Sequence, residues 1–127
     1  HICPLQLDLI ERNHTLTSIL GVKGYNPRTA DFLLFGPDEK YDRILMNPPF
    51  ENGQDIDHVR HAYSLLKPGG RIVAVMSSGP FSRQDRKATE FREWLDHRWH
   101  EVTDLPADAF KNSFCSTGVS TKLVVIE

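Results

Sequence analysis

Asn47-Pro48-Pro49-Phe50 is the stretch of this chain whose residue types fit a definite chemical task. It follows the apolar run Ile44-Leu45-Met46, and two successive prolines cannot continue a central strand because each lacks the N–H a ladder requires. The motif therefore sits at the carboxyl end of a strand expected over Tyr41 to Met46, the edge where open α/β sheets hold their ligands. An Asn side-chain oxygen and a main-chain carbonyl can each accept one N–H bond from a planar, conjugated amino group. Held in that way, the nitrogen moves toward a tetrahedral geometry and its lone pair becomes available to a methyl donor. The prolines stiffen the loop that presents the Pro48 carbonyl, and Phe50 offers a stacking face, worth about 1–3 kcal/mol against a nucleobase. Asn-Pro is also a common turn dipeptide, so the bland alternative is a plain strand terminator.

The elements that must position this loop are legible as alternating periodicities. Leu5, Leu7 and Leu9 alternate with polar residues up to Ile10-Glu11, a strand pattern closing on an acid. Asn13 to Leu20 reads as a short helix capped by Asn13, with Gly21 near its end. The turn-rich Gly24-Tyr25-Asn26-Pro27 leads to the brief segment Asp31 to Phe35, and Gly36-Pro37-Asp38-Glu39 is loop by composition. Beyond the motif, Ile56, Val59, Ala62, Tyr63 and Leu66 repeat at helical spacing from Asp55 to Lys67, and Lys67-Pro68-Gly69-Gly70 stops that helix. Arg71 to Met76 is a continuous apolar run, expected as a strand buried on both faces. Asp85 to Asp96 is a second amphipathic helix with Ala88, Phe91, Trp94 and Leu95 on one side. Two closing strands, about Trp99 to Leu105 and Thr121 to Glu127, flank a Gly/Ser/Thr-rich connection. The alternation predicts an α/β fold with a mainly parallel sheet and a C-terminal antiparallel hairpin.

Composition narrows the function classes. At 127 residues the chain suits one domain, residues 1–127, and 39% hydrophobic with 25% charged residues is an ordinary globular mix. Fifteen Lys+Arg against 17 Asp+Glu give a formal charge of -2, so nucleic-acid affinity cannot come from bulk charge and needs a local patch or another subunit. Cys3 and Cys115 are too few for a disulfide framework, and no apolar run is long enough to cross a bilayer. A cytoplasmic protein without membrane contact is the expectation. His58 and His61 share one helix face after Asp55 and Asp57, and His97 and His100 repeat the spacing. A metal site needs a third and fourth donor held in place, so solvated helix polarity is the simpler reading and no metal is expected. Arg83, Arg86, Lys87, Arg92 and Arg98 interleave with Asp85, Glu90, Glu93 and Asp96, which favours a salt-bridged face over a phosphate-binding one.

The motif resembles the Asn-Pro-Pro-Phe/Tyr element of class I S-adenosylmethionine-dependent methyltransferases acting on amino nitrogens, above all the N6-adenine DNA methyltransferases of bacteria and phages. The resemblance continues along the chain. Glu11, at the end of its strand, matches the acid that binds the cofactor's ribose hydroxyls, and Asp31-Phe32 matches the pair whose Asp accepts from the cofactor's adenine amino group. Leu65-Leu66-Lys67-Pro68-Gly69-Gly70-Arg71-Ile72-Val73 is similar to the family's helix-turn-strand. Leu105-Pro106-Ala107-Asp108-Ala109-Phe110 and Gly118-Val119-Ser120-Thr121 look like the closing hairpin of the adenine methylases. Glu11 also reads as a solvated carboxylate near a helix start, and Asp31 as a turn cap.

The resemblance implies a Rossmann-like sheet, S-adenosylmethionine as cofactor beside Glu11, Asp31, Phe32 and Asn47, and a catalytic loop of Asn47, Pro48, Pro49 and Phe50. It further implies DNA as substrate, an adenine flipped out of the duplex, a restriction-modification context and a separate target-recognition domain or subunit. Methylation of a protein glutamine amide or an RNA base is the alternative chemistry for the same loop, and a degenerate, non-catalytic binding domain is the alternative without chemistry. One departure stands out. The family's glycine-rich first motif has no counterpart before Glu11, and Gly21-Val22-Lys23-Gly24 lies elsewhere in the order. With the chain opening abruptly at His1, the expectation is a partial domain lacking its first strand and cofactor loop.

Overall fold

The computed structural model describes residues 9–11, 13–24, 28–29, 31–36, 40–106 and 120–127. It divides into two compact units, His1–Pro37 and Asp38–Glu127. In the first unit, β1 (Ile10–Glu11) pairs in parallel with β2 (Arg28–Thr29), and α1 (His14–Val22) makes the crossover between them. Asn13 caps α1 as its residue type predicts, its side chain accepting from the N–H groups of Thr15 and Leu16. The helix runs through Gly21 to Val22, slightly past the expected end. The leucine alternation before Leu9, Tyr25-Asn26-Pro27 and the connection at 107–119 lie outside the described residues, as do Cys3 and Cys115.

The second unit is a four-stranded sheet in the order β3-β4-β6-β5, built from β3 (Tyr41–Met46), β4 (Leu66–Ser77), β5 (His100–Asp104) and β6 (Thr121–Ile126). β3 runs parallel to β4, whereas β6 is antiparallel to both of its neighbours, which gives the mixed parallel and antiparallel α/β sheet with the expected closing hairpin. Between β3 and β4 lies α2 (Gln54–Ser64), and α3 (Gly79–Ser82) and α4 (Arg86–Asp96) follow β4. Asp85 caps α4 by accepting from the Ala88 N–H.

Period-two burial identifies the inner face of the sheet. Ile72, Ala74 and Met76 of β4 and Val124 and Ile126 of β6 are fully buried, together with Ile56, Val59 and Ala62 of α2 and Ala88, Phe91 and Leu95 of α4. Val73 and Val75, on the alternate positions of β4, are only half-buried, so this strand is fully enclosed on one face rather than two. An aromatic cluster joins the helices. Trp94 stacks on Phe91 at 5.7 Å and meets the edge of Tyr63 at 5.3 Å, while the Arg98 guanidinium lies 4.1 Å over the Trp94 ring.

One expected boundary moves. The helix of Asp55 to Lys67 ends at Ser64, and Leu66 already belongs to β4, paired with Tyr41. Leu65 and Leu66 are both buried, so the apolar spacing that reads as a last helical turn serves a strand entry equally well. The Pro68-Gly69-Gly70 segment is an irregular start to that strand. Gly70 is required there, because a Cβ would lie 2.8 Å from the Leu66 side chain and 2.9 Å from the Asp42 carbonyl.

Candidate active site

The carboxyl ends of the parallel pair β3 and β4 carry the loop singled out by its chemistry. Met46 is in register with Ala74, and the chain leaves the ladder at Asn47. Pro48 is buried, Phe50 half-buried, and Asn47 and Pro49 exposed, so the stiff part of the loop is packed down and the Asn amide stands in solvent. No hydrogen bond to the Asn47 side chain occurs among the described residues. Its oxygen can therefore accept from an incoming group without first breaking a bond within the protein.

After Phe50 the chain turns sharply. Glu51–Gly53 is a single 3-10 turn in which Asn52 has φ 56° and Gly53 φ 69°, the left-handed region that Gly and Asn tolerate best. Neither a side-chain cap nor a helix extension holds the start of α2 here. Instead, Lys87 of α4 donates to the Asp57 carboxylate at 2.7 Å and to the Asn52 carbonyl at 3.3 Å. A Cβ on Gly53 would meet that lysine side chain at 3.3 Å. Gly53→Ala is accordingly expected to cost about 1–2 kcal/mol in chemical denaturation, the left-handed penalty of a residue with a Cβ.

The proposed cofactor residues lie in the first unit. Glu11 ends β1, and its Oε1 accepts from the Asn13 N–H at 2.9 Å. Asp31 follows β2, the strand parallel to β1, and caps the Phe32–Leu34 turn by accepting from the Leu33 N–H at 3.0 Å. Both carboxylates thus occupy the carboxyl edge of the same two-stranded sheet, and Phe32 beside Asp31 is half-buried. Asp31 is oriented by its backbone bond, and a carboxylate at either position is an acceptor of the kind that ribose hydroxyls and an adenine amino group require.

The other sequence candidates resolve into structural pairs. Arg86 bridges to Glu90 at 2.8 Å, Arg83 to Asp85 at 3.2 Å, and Arg92 donates to the Pro80 carbonyl at 2.9 Å, a salt-bridged face as the interleaving predicts. His58 and His61 lie on α2, and among the described residues no group of three or more His, Cys, Asp or Glu is arranged to hold a metal ion. No helix among the described residues is long and apolar enough to cross a membrane. Sequence reasoning missed the fully buried Asp55, whose partner Ser77 is 22 residues away and carries no local signal.

The sequence matches the methyltransferase small domain family over residues 18–92, more than half of the chain. This chain belongs to that family. The match to the methyltransferase small domain spans Asp31, the Asn47-Pro48-Pro49-Phe50 loop, α2, α3 and the first seven residues of α4, and S-adenosylmethionine is the cofactor that the family and its structural neighbours point to. A search of curated proteins finds no match. Among solved structures, the chain is similar to the methyltransferase subunit of a type I restriction-modification system from Streptococcus thermophilus, with TM-score 0.70 and 20% identity over 93% of this chain and 33% of that one. It is similar to the T. thermophilus 16S rRNA N2 G1207 methyltransferase, solved with AdoMet and guanosine (TM-score 0.65, 17% identity, 94% of this chain and 28% of that). A third is the plantazolicin methyltransferase BpumL in complex with a triazolic desmethylPZN analog and SAH (TM-score 0.59, 15% identity, 96% of this chain and 67% of that). The methyltransferase small domain here spans about a third or less of the restriction-modification subunits it matches.

Proposed function

We propose that this methyltransferase domain transfers the methyl group of S-adenosylmethionine to an amino nitrogen, N6 of adenine in DNA. The observation that carries the proposal is the Asn47-Pro48-Pro49-Phe50 loop at the carboxyl end of a parallel strand, with Pro48 buried and Asn47 exposed. When bound, S-adenosylmethionine supplies an electrophilic sulfonium methyl. Asn47 Oδ1 and the Pro48 carbonyl accept the two N–H bonds of the target amino group and draw its nitrogen toward tetrahedral geometry. Phe50 stacks on the flipped base, and the surplus proton leaves the nitrogen for solvent after the N–C bond has formed. Glu11 and Asp31 hold the cofactor's ribose and adenine, with Phe32 packing beside Asp31. With a formal charge of -2, duplex affinity is expected from a local patch or from a target-recognition domain or subunit. A restriction-modification setting is consistent with the Streptococcus thermophilus neighbour.

An RNA base is the second reading, favoured by the similarity to a 16S rRNA methyltransferase solved with guanosine. Incubating the full-length protein with tritiated S-adenosylmethionine and, separately, unmethylated DNA, RNA and protein extract distinguishes them. The expected result is label in DNA, recovered as N6-methyladenine by nucleoside mass spectrometry. Label in RNA instead transfers the assignment to the second reading, and no label in any fraction overturns both.

A further inference from the structure

Asp55 is fully buried, the one charged residue among the described residues that is, and a buried carboxylate is costly unless every lone pair it presents is used. Its Oδ2 accepts from both the N–H and the hydroxyl of Ser77, at 3.0 and 2.9 Å, and its Oδ1 accepts from the Ile56 N–H at 3.2 Å. Ser77 is the last residue of β4, and Asp55 lies in the first turn of α2. An apolar residue would bury α2 equally well but would not hold it at one distance and one angle; two donors converging on one oxygen do both.

The placement of this latch is informative. The loop from Asn47 to Gly53 starts at Met46, tied to Ala74 of β4 by the sheet ladder, and ends at Asp55, tied to Ser77 of the same strand. Both ends are therefore anchored on one strand, three residues or about 10 Å apart, and Lys87 adds a second hold near the α2 end through the Asn52 carbonyl. The loop carries Asn47 and Phe50, which make their proposed contacts only if its span is fixed.

We propose that Asp55 and Ser77 are positioning residues. Their hydrogen bonds set the span of the Asn47–Gly53 loop and so place Asn47 and Phe50 against the target base. This rests on the methyl-transfer reading above for its kinetic part alone. The test compares wild type, Ser77→Ala, Ser77→Thr and Asp55→Asn of the full-length protein in two measurements. Amide hydrogen exchange of residues 50–56 is expected to rise about tenfold in Ser77→Ala, the worth of one hydrogen bond to a charged group, with β3 and β6 unchanged. Methyl transfer to an unmethylated DNA duplex is expected to lose about tenfold in kcat with KM for S-adenosylmethionine within about twofold. Ser77→Thr, which keeps both donors, retains wild-type behaviour in both measurements. Asp55→Asn, which keeps the shape and one acceptor oxygen, falls between wild type and Ser77→Ala. Unchanged exchange in Ser77→Ala overturns the latch, and faster exchange with unchanged kcat overturns its positioning role. Faster exchange in Ser77→Ala together with a wild-type protein that methylates nothing overturns the proposed function and leaves the latch as a structural device only.

Discussion

Asn47→Ala is expected to lower kcat for methyl transfer by at least about 10²–10³-fold, the range seen when one preorganised hydrogen-bonding group is taken from a reacting centre. Stability should stay within about 0.5 kcal/mol, because the side chain is exposed and bonds to nothing among the described residues. The separation of the two effects is what makes the experiment decisive. The amide oxygen has no part in ending β3, a task left to the prolines, and none in starting α2, which falls to Asp55 and Lys87. Binding of S-adenosylmethionine, followed by calorimetry, should weaken only modestly, since Asn47 is one of four proposed cofactor residues and Glu11, Asp31 and Phe32 remain. Full activity in this variant, measured by transfer of a tritiated methyl group, would remove the amino-group reading of the loop.

Phe91→Ala carries the largest expected effect on folding. The ring is fully buried on α4, stacks on Trp94 at 5.7 Å and meets Phe81 edge-on at 5.9 Å. Truncation removes the transfer free energy of the ring and leaves a cavity beside Trp94 and Phe81, at a cost of about 3–5 kcal/mol. Against a total stability of about 5–15 kcal/mol for a domain, that is enough to drop the urea midpoint steeply at unchanged slope. A loss below about 1 kcal/mol would show that α4 is not part of the cooperative core.

The elements with strong local signals are those the chain's own residues announce. Tyr41–Met46 is bounded by Pro48 and Pro49 and is found as read, and Asn13 and Asp85 cap their helices through the bonds their side chains favour. What local reasoning could not resolve was decided by distant partners. Leu66 fits a helix by spacing, but its pairing with Tyr41 draws it into β4. Asp55 is read only as the opening of a helix, ahead of His58 and His61, and its burial follows from Ser77, far along the chain. Asp31 caps a turn, as its alternative reading expects, while Glu11, read as a solvated carboxylate, accepts from the Asn13 N–H at its strand's carboxyl edge. For these two, the structural role and the proposed binding role are compatible.

The aromatic cluster has an optical consequence. The chain holds two tryptophans in different surroundings: Trp94 lies on Phe91 beneath the Arg98 guanidinium, and Trp99 is 52% exposed. Emission from Trp94 reports the seam between α2 and α4, whereas Trp99 reports solvent. The domain thus carries an intrinsic fluorescent probe of its helical layer and a built-in reference beside it, and a soluble quencher separates the two signals without any added label.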